Sequence, residues 1–273
     1  MKAAVLGLAA LLAAAVAGPA RAGKGARPAR KKPPAAKKNP VKKDSVAGGE
    51  HWRIVTPSGV VHVWLPGGYD AAAAGTVIYV HGYNDSADEA WKNHRLGRQF
   101  ADSGQNAMFV VPEAPQSNQD PVRFAALGKL LKRVRRATKV QLPDGPVVAL
   151  GHSGAFRTIA GWLDYTRLDH IVLLDALYGD SDRYRAWLET VKGHQYNRLV
   201  VVASDTVDKS EAFVKHFKGV VKRKGFPKDY GGFTKNEGRA RLLFIRSQYE
   251  HMKLVTGGKA LPLLLHLSPL QHL

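Results

Sequence analysis

The sequence, 273 residues long, contains no cysteine. That absence excludes a disulfide framework, a thiolate metal site, a cysteine nucleophile and a lipid-modified N-terminal cysteine. Acidic residues are scarce as well, 22 against 41 Lys and Arg, and the first 43 positions hold none. No run is long and apolar enough to span a bilayer, which takes ~20 residues. No His-Glu-x-x-His metal pattern occurs anywhere. What the chain does have is 45% hydrophobic residues, enough for a single domain to build its core without covalent staples.

The net charge of +19 points toward polyanions until its location is traced. Residues 1–43 carry 11 Lys and Arg, which leaves 30 basic against 22 acidic residues, a balance of +8, for positions 44–273. Most of the excess belongs to a tail.

Met1-Lys2 is a short positive start, Ala3 to Gly18 is uncharged and apolar, and Ala20-Arg-Ala22 offers an Ala-x-Ala cleavage pattern before Gly23. This is the layout of a secretory signal peptide over residues 1–22, so the mature product is expected in the periplasm or outside the cell, with no membrane span. Residues 23–43 mix Lys and Arg with Pro and Ala and contain no aromatic residue. Such a segment cannot bury enough surface to offset its ordering entropy, and it reads as a disordered basic linker. Without aromatic side chains for base stacking, and with export, nucleic acid is an unsuitable partner. Anionic envelope polymers or lipid headgroups remain possible partners, beside a plain solvated spacer.

From residue 44 to 273 the texture is that of one folded domain. Trp52–Val55 and Val60–Leu65, separated by Thr56-Pro-Ser-Gly59, read as a hairpin. Apolar runs follow at Thr76–Val80, Ala107–Val111, Val147–Leu150, His170–Leu174, Leu199–Ala203 and Arg241–Ile245. Helical patterns lie between them at Ser86–Asp102, Pro121–Arg136, Gly154–Tyr165, Ser181–Val191 and Lys209–Arg223. Continuous apolar runs alternating with helices predict an α/β fold of three layers: a mostly parallel, eight-stranded sheet with helices on both faces.

The most informative segment is Val147-Val-Ala-Leu-Gly-His-Ser-Gly-Ala-Phe156. A strand ends at Leu150, a sharp turn carries Ser153, and a helix follows. This is the nucleophile elbow G-x-S-x-G with Ala in the last place. The strained turn demands small residues two before and two after the serine, which Gly151 and Ala155 supply. The helix N-terminus then points its dipole at Ser153.

From Trp52 onward the chain resembles the α/β-hydrolases, and the resemblance covers nearly all of the folded region. Thr76-Val-Ile-Tyr-Val-His81-Gly82-Tyr83 is similar to the family's third strand with its His-Gly step into an oxyanion loop. The resemblance implies an oxyanion hole built from the amides of Tyr83 and Gly154, each donor worth ~3–4 kcal/mol in the transition state. His81 and Gly82 are then structural. The family order of Ser, acid, His places the base beyond the last strand, where His251 fits best, with His266 and His272 as fallbacks. For the acid the resemblance leaves two aspartates: Asp205, after the usual strand, and Asp175, one strand earlier as in the pancreatic-type lipases. Either can hold the imidazole tautomer and stabilise the imidazolium.

The implied activity is that of a serine hydrolase cleaving an ester, or an amide, of a small molecule or polymer through an acyl-enzyme, with no metal and no organic cofactor. Trp91, Trp162, Tyr178, Tyr184 and Trp187 are candidates to line the pocket, although aromatics at such spacing more often belong to a core. Gly179–Arg198 is the main candidate for a lid, and it is short. The alternative is a non-catalytic envelope-binding protein that retains the hydrolase fold.

Overall fold

The computed structural model of the chain describes residues 41–192 and 195–273. The expected signal peptide, 1–22, and the basic linker up to residue 40 lie outside the described residues. Strands β1 (Val41–Val46), β2 (Gly49–Thr56) and β3 (Gly59–Leu65) form an antiparallel meander. Alternating elements follow: β4 (Gly75–Val80), α1 (Ala87–Asn93), α2 (Leu96–Asp102), β5 (Ala107–Pro112) and α3 (Leu127–Thr138). Next come β6 (Val147–His152), α4 (Phe156–Ala160), β7 (Leu168–Leu174) and α5 (Ser181–Glu189). A two-stranded ribbon, β8 (Val191–Lys192) with β9 (Gln195–Tyr196), leads to β10 (Arg198–Ala203), α6 (Val207–Val214) and β11 (Val221–Lys224). The chain closes with α7 (Lys235–Arg239), β12 (Leu242–Arg246), α8 (Lys253–Thr256) and α9 (Ala260–His266).

Ten strands join one sheet in the order β1-β2-β3-β5-β4-β6-β7-β10-β12-β11. From β5 to β11 every pair is parallel, and β3 meets β5 antiparallel. Both faces of the sheet are covered, which is why its central strands read as unbroken apolar runs. In β4 the alternation is explicit: Ile78 and Val80 pack with residues of α3 to α6, while Val77 and Tyr79 pack with α1, α2, α8 and α9. The result is the expected three-layer α/β architecture.

The sheet has ten strands rather than eight because each edge carries one strand without an apolar signature. β1 takes in Val41, Lys42 and Lys43, which the composition assigns to the disordered linker. Pairing with β2 and tertiary contacts order it: Lys43 bonds Glu50, His51 bonds Asp44, and Trp64 donates to the Val46 carbonyl. β11, Val-Lys-Arg-Lys, overlaps the end of the stretch Lys209–Arg223 that reads as helix. Its three consecutive basic residues suit an exposed edge, where they discourage further strand addition. The expected helix over Ser86–Asp102 is broken in two at Arg95, whose φ of 51° leaves the right-handed region. Among the described residues no helix is long and apolar enough to cross a membrane.

Candidate active site

Strand β6 delivers Ser153 into a turn with φ +52°, a costly conformation for a residue with a side chain. A single 3-10 turn over Ser153–Ala155 then passes into α4. The small residues around it are steric necessities. A Cβ on Gly151 would lie 2.4 Å from Ile159 Cδ1 and 2.9 Å from the Ala155 methyl. The loop after β4 passes directly over the serine, so that a Cβ on Gly82 would lie 2.8 Å from Ser153 Cβ. A Cβ on Gly154 would strike the Tyr83 ring at 2.4 Å. Tyr83 and Gly154 thus face each other beside the serine, and among the described residues neither amide donates a backbone hydrogen bond. His81 is buried, bonding the Gly82 carbonyl through Nδ1 and accepting the Ala114 amide at Nε2, which fits a structural part.

Asp175 follows β7 immediately, also at positive φ (47°), and its own amide extends the ladder to Val202 of β10. Its carboxylate is fully buried and accepts five hydrogen bonds. The Ser204 and Thr206 amides and the Thr206 hydroxyl bond Oδ1, and the Asp205 amide bonds Oδ2. His251 Nδ1 completes the set at 2.6 Å from Oδ2. Burial by itself raises the carboxyl pKa, but the bonds from His251, Thr206, Asp205 and Ser204 outweigh it and hold Asp175 below the ordinary carboxylate range. Asp205 stands differently. Its side chain is 63% exposed, its Oδ2 is 4.0 Å from His251 Nδ1, and its backbone serves Asp175.

His251 sits in the loop after β12, held by a turn in which Ser247 Oγ accepts the Tyr249 amide. With Nδ1–H donated to Asp175, the Nε2 lone pair is left for a proton from elsewhere. Ser153 and His251 line one cavity of about 710 Å³, together with Tyr83, Gly154, Phe156 and Tyr178. Of the five aromatic candidates only Tyr178 borders this cavity. Trp162, Tyr184 and Trp187 are core residues, and Trp91 stacks on His51 and His62. Among the described residues of the lid candidate Gly179–Arg198 none lines the cavity, and α5 packs its Tyr184, Trp187 and Leu188 into the core. The fallback histidines His266 and His272 pack against each other, rings tilted by 58°, in a separate cluster.

Two contributors escaped sequence reasoning. His152, the residue between Gly151 and Ser153, is buried, packs against the His251 ring at a tilt of 40° with centroids 4.4 Å apart, and bonds the His251 carbonyl through Nε2 at 3.3 Å. Burial, and then the neighbouring His251, push the His152 pKa down to about 3, so this ring is a neutral support rather than a second base. Arg157 reaches from α4 to the carbonyls of Ser117, Asn118 and Asp120 and to the Tyr83 hydroxyl, fastening the loop that backs the cavity. The only sequence signal for either was proximity to Ser153.

Asp175, Asp205 and His251 offer one ligand atom each within 4.8 Å of one another. A carboxylate has about four lone-pair sites, and five donors already occupy those of Asp175. That donor set suits an imidazole partner better than a cation.

The S-formylglutathione hydrolase of Agrobacterium tumefaciens superposes with a TM-score of 0.54 over 85% of this chain and 99% of its own, at 10% identity. The chain has the α/β-hydrolase fold. A fluorophosphonate-binding serine hydrolase of Staphylococcus aureus gives 0.51 at 10% identity, over 84% of this chain and 99% of that one. The feruloyl esterase module from Clostridium thermocellum gives 0.50 at 14% identity, over 88% and 92%. No family model and no curated protein matches the sequence. Within this fold, β1 and β11 are the flanking strands, and Ser153, Asp175 and His251 all follow C-terminal ends of parallel strands.

Proposed function

We propose that this protein is an exported serine hydrolase that cleaves carboxylic esters through Ser153, His251 and Asp175. The observation that carries the reading is the 2.6 Å His251–Asp175 contact, with the acid sealed and the imidazole opening onto the cavity that Ser153 also lines. Ser153 Oγ attacks the ester carbonyl while His251 Nε2 takes its proton. The resulting oxyanion accepts the Tyr83 and Gly154 amides, which are oriented before the reaction and need no reorganisation. As the tetrahedral adduct collapses, His251 returns the proton to the leaving alkoxide and an acyl-enzyme remains. Water enters, gives a proton to Nε2 and attacks the acyl carbonyl. Collapse of the second adduct releases the acid and restores Ser153. Asp175 stays ionised throughout, because five donors stabilise its charge.

The proposal of export rests on the layout of residues 1–22. The basic linker is proposed to hold the enzyme near anionic envelope material, in keeping with its lack of acidic residues. A truncation beginning at Asn39 keeps β1 whole, and it should retain turnover of soluble esters while losing salt-sensitive adhesion.

Labelling with a fluorophosphonate probe tests the reaction class. Folded wild type should label and Ser153→Ala should not. A folded wild type that stays unlabelled sinks the serine-hydrolase reading and favours a binding protein.

A further inference from the structure

The parallel strands have a second furnished end. At their N-terminal edge, opposite the serine, a cavity of about 590 Å³ is bordered by His170 near the start of β7 and Arg198 at the start of β10. These two residues are neighbours in the strand register.

His170 is 1% exposed, and both of its ring nitrogens are shut off from solvent without a hydrogen-bond partner. Arg198 donates to the carbonyls of Leu267 and Glu237, but its Nε is equally buried and unpartnered. No carboxylate forms an ion pair with this guanidinium among the described residues. The Glu237 carboxylate is taken by Arg223 at 2.9 and 3.0 Å, and Asp169, the acidic residue on the cavity wall, has an interaction of its own. Burial without a counter-charge pushes the Arg198 pKa down to about 10. His266 adds a buried, unpartnered Nδ1, and Lys235 stands exposed on the wall.

Buried charges and buried polar groups are normally compensated, because an unpaired one costs several kcal/mol in a poorly hydrated site. Here a cation, two imidazoles and an ammonium group surround one cavity whose lining holds a single carboxylate, that of Asp169. A planar carboxylate would engage few of these scattered groups, whereas a tetrahedral oxyanion presents acceptors in several directions. Phe233 and Tyr230 supply an apolar wall on which an organic substituent could rest. We propose that the cavity bounded by His170, Arg198 and Lys235 is a binding site for a phosphate group, separate from the serine site.

Calorimetric titration of the full chain with inorganic phosphate, at neutral pH and low ionic strength, tests this. Saturable one-to-one binding is expected. Reversing the exposed charge with Lys235→Glu should weaken it at least about fivefold. Removing an imidazole donor with His170→Leu should weaken it about tenfold. Lys235 is solvent-exposed, so its variant keeps the test decisive should His170→Leu unfold. Hydrolysis of a p-nitrophenyl ester should be unchanged in Lys235→Glu, since that residue is remote from the catalytic set. Titration with phenyl phosphate separates the two sources of the group. Tighter binding than inorganic phosphate assigns a phosphate monoester, and equal binding assigns the free ion. The absence of saturable binding to folded wild type, or binding unaltered in Lys235→Glu, overturns the site.

Discussion

Two histidine–aspartate contacts in this chain have the same length, 2.6 Å, and opposite surroundings. In the first, Asp175 is fully buried and the His251 side chain is 22% exposed. In the second, His51 is 6% exposed and Asp44 is 66% exposed. The bond is common to both, and burial decides what it does. The donors that converge on the sealed acid keep it ionised against its burial, and the acid fixes the tautomer of a histidine that opens onto a cavity. Sealing the histidine does the reverse. His51 Nε2 is occupied by His62 Nδ1 at 2.9 Å, His62 continues to Asp88 at 3.1 Å, and Trp91 stacks on both rings. Desolvation lowers the pKa of His51, and that of His62 to about 4. With both ends of each ring engaged and no nucleophile beside them, this array is a clasp tying β1 and α1 to the sheet.

The sharpest tests of that contrast are kinetic. Ser153→Ala should lower kcat on a p-nitrophenyl ester by roughly 10⁵-fold or more, since triad members act as a unit. Asp175→Asn should cost about 10⁴-fold with the fold intact by circular dichroism, and Asp205→Asn less than about threefold. Equal losses in the two Asn variants would mean that burial does not select the acid. A smaller effect concerns acid stability. A carboxyl held below its unfolded pKa contributes stability that is complete above about pH 4 and is lost as the pH falls further. Melting curves of wild type should therefore fall steeply below that pH, and those of Asp175→Asn should fall less. The clasp should respond in stability alone. His62→Leu leaves the His51 ring and Asp88 short of a partner, at a cost of about 1–3 kcal/mol. Asp44→Asn touches a largely exposed acid and should cost less than about 1 kcal/mol. Denaturant unfolding measures both, and a parallel drop in kcat would break the distinction between clasp and active site.

Much of the site was legible because the elbow is a local device. Gly151, Ser153 and Ala155 lie within five residues, and their steric demands belong to one turn. The alternation of apolar runs and helices was legible for a related reason, since strands covered on both faces must be apolar throughout. The edges were not. β1 and β11 are rich in Lys and Arg, and their order comes from pairing with β2 and β12 rather than from their own composition. The aromatic residues misled because a tryptophan fills a core as readily as it lines a pocket.

By itself, the sequence singled out Ser153 as the expected nucleophile, with no cysteine to compete with it, and placed it at a strand-to-helix turn. It also placed a histidine beyond the last long apolar strand. Only the tertiary structure shows that His251 pairs with Asp175 and not with Asp205, because both follow apolar strands and the abrupt placement of Asp175 was their one local difference. The loop after β10 turns its Ser204, Asp205 and Thr206 amides onto Asp175, so one aspartate becomes the buried acceptor and the other part of its cradle. A carboxylate's role here follows from which backbone donors converge on it, and that convergence exists only once distant strands lie side by side.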